Sequence, residues 1–251
     1  MKTLSWEAFI SLDKKENPKV AMTIGVFDGV HAGHAALIEK IVSRRDCEPW
    51  VITFRENPKK VLRPGEYPGD LLPLEEKLEK LKALGIQRSI IIDFSREFGK
   101  MGGADFISRV YGSCALRFLV LGQDFHFGRG ADTGAEKVRL FLEPLGVCVE
   151  VIPPVKHGDG KVSSTRIRGF IRQGDFAEAA AMLGHSYRLT LKGWHKEGQG
   201  ASSVQPRLLP RDGTYAALLE GSAGEKETWL RVEGGRVFWH YNGDVKAITF
   251  V

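Results

Sequence analysis

Apolar runs and amphipathic stretches alternate from residue 20 to residue 152 of the chain. Five runs are almost continuously apolar, which is typical of strands buried on both faces of a sheet. They span residues 20–27, 50–54, 89–93, 117–121 and 147–152. The stretches with apolar residues at helical spacing are residues 34–44, 73–84, 104–111 and 135–145. This alternation predicts an α/β domain in which helices cover a parallel sheet.

The pattern changes near Tyr187. Two short helices are predicted between Val162 and this point, the second capped by Asp175 and ended by Gly184. Beyond it, short β-like segments separated by Gly, Ser and Asn predict a small antiparallel sheet or barrel. These segments are residues 187–192, 215–219, 228–232, 237–239 and 247–251, and residues 198–203 are predicted to be a flexible loop. We therefore expect an α/β domain at residues 1–187 and a small β-rich domain at residues 188–251.

Composition and charge restrict the class of protein only broadly. The chain is 43% hydrophobic and 27% charged. Residues 1–15 carry charge and no long apolar run, so no signal peptide is expected, and no run of about 18 apolar residues occurs in the sequence, so no membrane partner is expected. The 3 cysteines are odd in number and far apart, which favours reduced thiols in the cytoplasm over disulfides or zinc. The net charge of +5 suits a polyanionic small ligand, a nucleic acid, or a solvated surface with no partner.

The strongest candidate for chemistry lies where the first apolar run ends. Residues 25–34 read Gly-Val-Phe-Asp-Gly-Val-His-Ala-Gly-His. Ligands of parallel sheets bind beyond the carboxyl ends of the strands, where the next helix begins with unpaired N–H groups that attract anions. His31 and His34, on either side of Gly33, can stabilise charge on phosphate oxygens there. The alternatives are that the histidines pack, cap the helix or bind a metal.

Two later segments suggest related chemistry. Residues 163–168 read Ser-Ser-Thr-Arg-Ile-Arg and place hydroxyls and a guanidinium at the start of a helix, which suits a second phosphate clamp. A plain helix cap with a solvated arginine is the simpler alternative. Residues 121–130 begin a glycine-rich loop in which Phe125 and Phe127 either stack on a planar ligand or pack into the core.

Together these segments resemble the bacterial FAD synthetases, which are usually fused to a riboflavin kinase. The adenylyltransferase part of that family carries Gly-x-Phe-Asp-Gly-x-His-x-Gly-His, a Gly-x-Asp-Phe-x-Phe-Gly loop and Ile-Ser-Ser-Thr-Arg-Ile-Arg. The first two match here without gaps, the third differs only at Val162, and the resemblance extends over about residues 15–187. It implies a Rossmann-like nucleotidyltransferase domain that makes FAD and pyrophosphate from ATP and FMN with Mg²⁺. It also implies that the β-rich domain is a degenerate relative of the kinase.

The resemblance implies roles for particular residues. Its catalytic residues would be His31, His34 and Asp28, with Asp28 orienting the loop or helping to hold Mg²⁺. Residues expected to bind ATP and its phosphates are Gly25, Phe27, Gly33, Asp124, Ser163, Ser164, Thr165 and Arg166. Residues expected to line the flavin are Phe54, Pro58, Phe125 and Phe127.

The chain departs from the family pattern in two places. Residues 53–58 read Thr-Phe-Arg-Glu-Asn-Pro where the family has Thr-Phe-x-Pro-His-Pro, so Glu56 is expected to add negative charge and loop freedom. Residues 198–206 stand where the kinase signature Gly-x-Pro-Thr-Ala-Asn should fall, and they lack it. What remains also leaves no room for the later part of the kinase, so no phosphorylation of riboflavin is expected.

Two other functions are compatible with the sequence. One is a transferase of the same superfamily that acts on another phosphate, such as phosphopantetheine or nicotinamide mononucleotide. The other is a non-enzymatic RNA-binding module on the C-terminal segment. Its aromatic and basic residues would be Trp194, Trp229, Trp239, Arg207, Arg211 and Arg231.

Overall fold

The structure is a computed structural model that describes residues 1–16, 18–203 and 207–251. It divides into two compact units. The first consists of Met1–Tyr67 and Pro73–Lys161, and the second of Pro68–Leu72 and Val162–Val251. The compact units divide at Val162, with residues 68–72 also in the second unit. The domain boundary that the sequence pattern predicts at Tyr187 stays a prediction.

The first unit contains ten strands and six helices among its described residues. The strands are β1 (Lys2–Ser5), β2 (Lys19–Ile24), β3 (Glu48–Phe54), β4 (Arg88–Ile92), β5 (Ala115–Gly122), β6 (His126–Phe127), β7 (Thr133–Gly134), β8 (Cys148–Ile152), β9 (Lys156–His157) and β10 (Gly160–Lys161). The helices are α1 (Trp6–Ile10), α2 (Ala32–Val42), α3 (Pro58–Leu62), α4 (Leu74–Ala83), α5 (Gly103–Ser113) and α6 (Ala135–Leu142).

A parallel sheet forms the centre of this unit, which confirms the predicted fold class. Its strand order is β1-β4-β3-β2-β5-β8, and every neighbouring pair is parallel. In β2 every residue after Lys19 is buried, as expected for a strand covered on both faces. Because β2 lies between β3 and β5, the loop that follows β2 emerges at the middle of the carboxyl edge.

The edge strand β1 was not predicted, because it has only four residues, which are mostly exposed and form no apolar run. Helix α1 directly follows it, capped by Ser5, whose side chain accepts a hydrogen bond from the Ala8 N–H. The buried Trp6 ring then stacks on Phe106 with 5.1 Å between centroids. Aromatic packing of this kind fixes the N-terminal segment against the core.

The predicted glycine-rich loop after β5 contains the small hairpin β6–β7. Gly128 has a φ of 82°, and a Cβ there would lie 2.5 Å from the Gly103 nitrogen. Asp132 accepts hydrogen bonds from the Gly103 N–H and the Thr133 hydroxyl. Only glycine allows this close approach, which ties the loop to the start of α5.

The second unit contains two helices and seven strands in the described part of the chain. They are α7 (Ser164–Gln173), α8 (Phe176–Leu183), β11 (Arg188–Thr190), β12 (Trp194–Glu197), β13 (Gly200–Ser203), β14 (Gly213–Gly221), β15 (Gly224–Glu233), β16 (Arg236–Trp239) and β17 (Val245–Phe250). The strands form one antiparallel sheet, as predicted, in the order β11-β17-β14-β15-β16-β13-β12. The Asp175 cap and the left-handed Gly184 end of α8 are also confirmed.

The flexible loop predicted at residues 198–203 is wrong. Gly198 has a φ of 57° and begins the turn of a hairpin, in which Glu197 pairs with Gly200. Ala201 is fully buried, and β13 pairs with both β12 and β16. Small residues hid this strand, because its packing comes from its neighbours rather than from large side chains of its own. The rest of the predicted kinase-signature region, residues 204–206, lies outside the described residues.

Among the described residues, no helix is both long enough and apolar enough to cross a bilayer.

Candidate active site

The loop between β2 and α2 has an unusual backbone. Phe27 and Val30 have φ angles of 52° and 42°, and Gly29 between them has a φ of 86°. A positive φ is uncommon for any residue with a side chain and is a true outlier for a β-branched valine. Strain of this kind persists only where the surroundings hold it, and it concentrates at functional sites. The loop that carries the predicted catalytic residues is therefore under conformational strain.

His31 caps helix α2. Its backbone is extended, and its Nδ1 accepts the N–H of His34 at 3.4 Å. The capping alternative considered for these histidines thus applies to His31. A neutral imidazole that accepts at Nδ1 carries its proton on Nε2, which makes Nε2 the donor of this ring.

The two imidazole rings of the motif stack on one another. The centroids of His31 and His34 are 3.6 Å apart with an interplanar angle of 14°. His34 also meets the edge of the buried Phe27 ring, at 5.1 Å between centroids. The Nδ1 atom of His34 is buried and has no hydrogen-bond partner among the described residues. An unsatisfied buried polar atom is costly, and it is expected where a ligand or water completes the bonding.

Electrostatics keep His34 neutral. Burial first, and then the neighbouring His31 and Lys77, hold the pKa of His34 well below its usual value. A neutral imidazole donates through one nitrogen and accepts through the other, so it can hydrogen-bond a phosphate oxygen without carrying charge of its own.

The other residues of this motif that were predicted to be functional differ in their burial and in the groups that they can offer to a ligand. Asp28 is buried in the loop that follows β2. Gly25 leaves room for the Phe27 ring, since a Cβ at residue 25 would lie 3.2 Å from it. Because the Phe27 side chain is buried, any contact from Phe27 to a nucleotide would come from its backbone. Gly33 lies in the first turn of α2, where the amides are unpaired within the helix.

Lys77 was missed by the sequence analysis. It lies on α4, is only 5% exposed, and donates from Nζ to the carbonyl oxygens of Phe54 and Val26 at 2.7 and 3.2 Å. The available signal was its position in the apolar stripe of α4, four residues before the fully buried Leu81. A lysine in an apolar stripe of a helix lies either at the solvent-exposed edge of the stripe or in its interior, where polar partners bind the ammonium group.

The segment after β3 is a capped helix rather than a free loop, so the loop freedom predicted from Glu56 is wrong. Asn57 caps α3 by accepting the Lys59 N–H at 3.1 Å, and Pro58 occupies the first helical position. Glu56 forms an ion pair with Lys60. The two residues that depart from the family pattern thus stabilise the start of this helix.

The predicted flavin-wall aromatics are half-buried at the edge of the core. Phe54 packs edge-on against Phe94 at 5.9 Å between centroids. Phe125 stacks on Phe127 at 5.2 Å, and Phe127 meets Phe106 at 5.3 Å. Their packing on the core is thus established, while part of each ring remains exposed.

Asp124 is exposed on the turn after β5 and forms an ion pair with Lys161 at 2.6 Å. Lys161 was not predicted, because 37 residues separate the partners in sequence.

The predicted phosphate clamp belongs to the second unit. Ser163 caps α7 by accepting the Arg166 N–H at 3.3 Å, so the capping alternative holds for Ser163. The half-buried Arg166 guanidinium lies over the Phe170 ring, 5.4 Å from its centroid. Ser164 and Thr165 form the first turn of α7, where backbone amides point to the helix start.

Arg168 differs from Arg166. It is buried, and its Nε donates to the Gly69 carbonyl at 3.2 Å within the second unit. The two arginines of one motif therefore have separate tasks, because Arg168 ties residues 68–72 to α7.

Of the aromatic residues in the RNA-binding alternative, Trp239 is buried and belongs to the core of the second unit, whereas Trp229 is 65% exposed.

Comparison with known proteins places these features in a family. The model of the FAD synthetase family matches residues 13–166. An FAD synthetase of Listeria monocytogenes is 31% identical over 204 residues, covering 80% of this chain and 82% of that protein. A bifunctional riboflavin kinase/FMN adenylyltransferase of Bacillus subtilis is 28% identical, covering 88% of this chain and 73% of that protein.

A solved structure is similar throughout. The crystal structure of a protein described as a macrolide-efflux protein from Streptococcus pneumoniae has a TM-score of 0.79 and 26% identity. The similarity covers 100% of this chain and 97% of that one. Since the family model matches more than half of the residues and the Listeria relative is covered over most of its length, the chain belongs to the FAD synthetase family.

Proposed function

We propose that this protein is an FMN adenylyltransferase that makes FAD and pyrophosphate from ATP and FMN. The observation that carries the proposal is the stacked His31–His34 pair at the start of α2, with the buried Nδ1 of His34 unsatisfied, in a chain of the FAD synthetase family. A phosphate-binding role accounts for the histidine pair, for the strained loop and for the helix N-terminus together.

The reaction needs positioning more than it needs a nucleophile from the protein. A phosphate oxygen of FMN forms a bond to the α-phosphorus of ATP, and the bond from that phosphorus to the bridging α–β oxygen breaks. Pyrophosphate leaves with that electron pair, and FAD retains the new anhydride. The protein has to hold the two phosphates in line and stabilise charge on the equatorial oxygens.

His31 and His34 supply that stabilisation in the proposal. The imidazoles of His31 and His34 and the amides of the first turn of α2 donate to the triphosphate, and His34 is the residue assigned to the transition state. Gly25, Phe27 and Gly33 contribute backbone groups. Residues assigned to the β- and γ-phosphates are Ser163, Ser164, Thr165 and Arg166.

Asp124 is assigned to the nucleotide. The flavin wall is assigned to Phe54, Pro58, Phe125 and Phe127, whose half-buried positions leave ring surface for an apolar ligand. The capped α3 helix favours a fixed wall on the Pro58 side.

Mg²⁺ fits this donor set as a companion of the triphosphate. In the described part of the chain, no group of three or more His, Cys, Asp or Glu side chains could hold a metal by itself. Magnesium commonly keeps several waters and binds through one or two carboxylates and substrate phosphates, and Asp28 is the carboxylate assigned here. When bound, Mg²⁺ neutralises triphosphate charge.

The proposal excludes riboflavin kinase activity from this chain, because residues 198–206 lack the kinase signature. It places the protein in the cytoplasm, which is supported by three cysteines that form no disulfide. The other acceptors and the RNA-binding module receive no support.

Incubation of the protein with ATP, Mg²⁺ and FMN, followed by chromatography for FAD, tests the proposal. FAD and pyrophosphate should appear in equal amounts, and H34A should make far less. No FAD above background from folded protein, with either Mg²⁺ or Mn²⁺, would overturn the proposed function.

A further inference from the structure

The ammonium group of Lys77 is buried at the carboxyl end of the parallel sheet. Lysine is among the residues that are least often fully buried unless they are paired. Lys77 shares the inner face of α4 with Leu81, and both side chains are almost inaccessible to solvent. A position of this kind needs polar partners for the charge.

Two backbone carbonyls provide those partners. Nζ donates to Phe54 O at 2.7 Å and to Val26 O at 3.2 Å. The two acceptors follow the neighbouring parallel strands β2 and β3. Val26 O also accepts the Thr53 hydroxyl at 3.0 Å. One ammonium therefore connects the loop that carries the histidines with the segment that leads into α3.

Val26 is the last residue before the strained turn. Phe27 follows it with a φ of 52°, and Val30 adds a second positive φ three residues later. Such conformations persist only where surrounding contacts determine them. The hydrogen bond from Lys77 is charge-assisted and is thus stronger than one between neutral groups. It anchors the loop where its strain begins.

The same charge acts on His34. After burial and His31, Lys77 is the third cause that lowers the pKa of His34. His31 and Lys77 are the neighbouring groups that act on His34 in this way among the described residues. A fixed positive charge favours the neutral imidazole in the ligand-free protein and also favours an anion beside it.

We propose that Lys77 is a positioning residue for the adenylyl transfer: its ammonium holds the histidine loop and the segment after β3 together and places a fixed positive charge at the carboxyl end of the sheet. The inference rests on the proposed function. Lys77 acts through Val26, Phe54 and His34.

Three substitutions separate the hydrogen bonds from the charge. Lys77→Met removes both, Lys77→Gln keeps amide donors without charge, and Lys77→Arg keeps charge with a different geometry. Lys82→Met is the matched control, because Lys82 is exposed on the same helix. If K77M does not fold, K77Q and K77R carry the test.

The first measurement is the NMR titration of the His34 imidazole in the ligand-free protein, which does not require FAD synthesis. The pKa of His34 should rise in K77M and K77Q and stay close to the wild-type value in K77R and K82M. The second measurement is steady-state FAD synthesis. K77M should lower kcat by about 10²-fold, the size expected from misplacing reacting groups by about 1 Å. The KM for FMN should change less, and K77R should recover part of the turnover.

A purely structural lysine would lower the melting temperature of K77Q and leave both its kcat and the His34 pKa unchanged, which would overturn the inference. A wild-type protein that makes no FAD would instead overturn the proposed function. The His34 titration would still report whether Lys77 sets the charge of that ring.

Discussion

The imidazole of His31 accepts the backbone N–H of His34 and stacks on the His34 ring at 3.6 Å between centroids. His31 thus caps the start of α2 and also packs against one face of the His34 ring. The half-buried His34 has a buried, unsatisfied Nδ1 and a lowered pKa. This division of tasks predicts different consequences for changes at the two residues and at their surroundings.

His34→Ala should lower kcat by about 10²–10³-fold, the usual effect of removing one donor that stabilises transition-state charge. FMN binding should change little, because His34 is assigned to the triphosphate. Steady-state kinetics and FMN fluorescence quenching measure the two quantities. His240→Ala, at an exposed histidine of the second unit, is the control. Near-normal turnover in H34A would mean that the histidine motif is structural.

The free energy of unfolding should depend on the protonation of His34. Its pKa in the folded protein lies below the unfolded value of 6.5, mainly because the ring is buried. Between the two pKa values the unfolded chain binds the extra proton, so this contribution is complete above pH 6.5 and is lost as the pH falls towards the folded pKa. Urea denaturation at several pH values should show the decline in the wild type and less of it in H34Q. An equal decline in H34Q would contradict the assignment, and H240Q serves as control.

Arg166→Ala and Arg168→Ala should differ in kind. Arg166 is half-buried over Phe170, and its loss should raise the KM for ATP with little effect on stability. Arg168 is buried and bonded to Gly69 O, so its loss should reduce the free energy of unfolding by about 1–3 kcal/mol. Kinetics and chemical denaturation, with the exposed Arg172→Ala on the same helix as control, measure both effects. Equal changes in the two variants would contradict separate roles.

The three thiols should react with alkylating reagents in a fixed order. Cys148 is exposed and should react first, and Cys47 is half-buried with a pKa raised chiefly by burial. Burial raises the pKa of Cys114 to about 12, so little thiolate forms at pH 8. Mass spectrometry after timed iodoacetamide treatment should find Cys114 modified only when urea unfolds the protein. Early labelling of Cys114 would contradict the packing of α5 on the sheet.

Riboflavin, ATP and Mg²⁺ should yield no FMN with the purified chain, because residues 198–206 do not carry the kinase signature. Chromatography of the reaction measures the product, and FMN with ATP serves as the positive control for active protein. FMN formation that is absent from a mock preparation would overturn this prediction.

The sequence predicted the parts of the fold that local pattern encodes. Buried strands such as β2 are continuous apolar runs, and the Asp175 cap lies three residues from its partner, so both were found. The edge strand β1 and the hairpin strand β13 were missed. Their residues are exposed or small, and their conformation is decided by pairing with distant strands.

The candidate site divides in the same way. His31 and His34 are neighbours in sequence, so the motif by itself predicted a histidine pair at a helix start. The tertiary structure alone decided that His31 caps the helix, that the rings stack and that Lys77 contributes to the lowered pKa of His34. Lys77 and Val26 are 51 residues apart in sequence, and no local pattern specifies which carbonyl a buried ammonium will meet. Sequence spacing fixes geometry within one turn or helix, whereas contacts across strand ends depend on how the whole sheet packs.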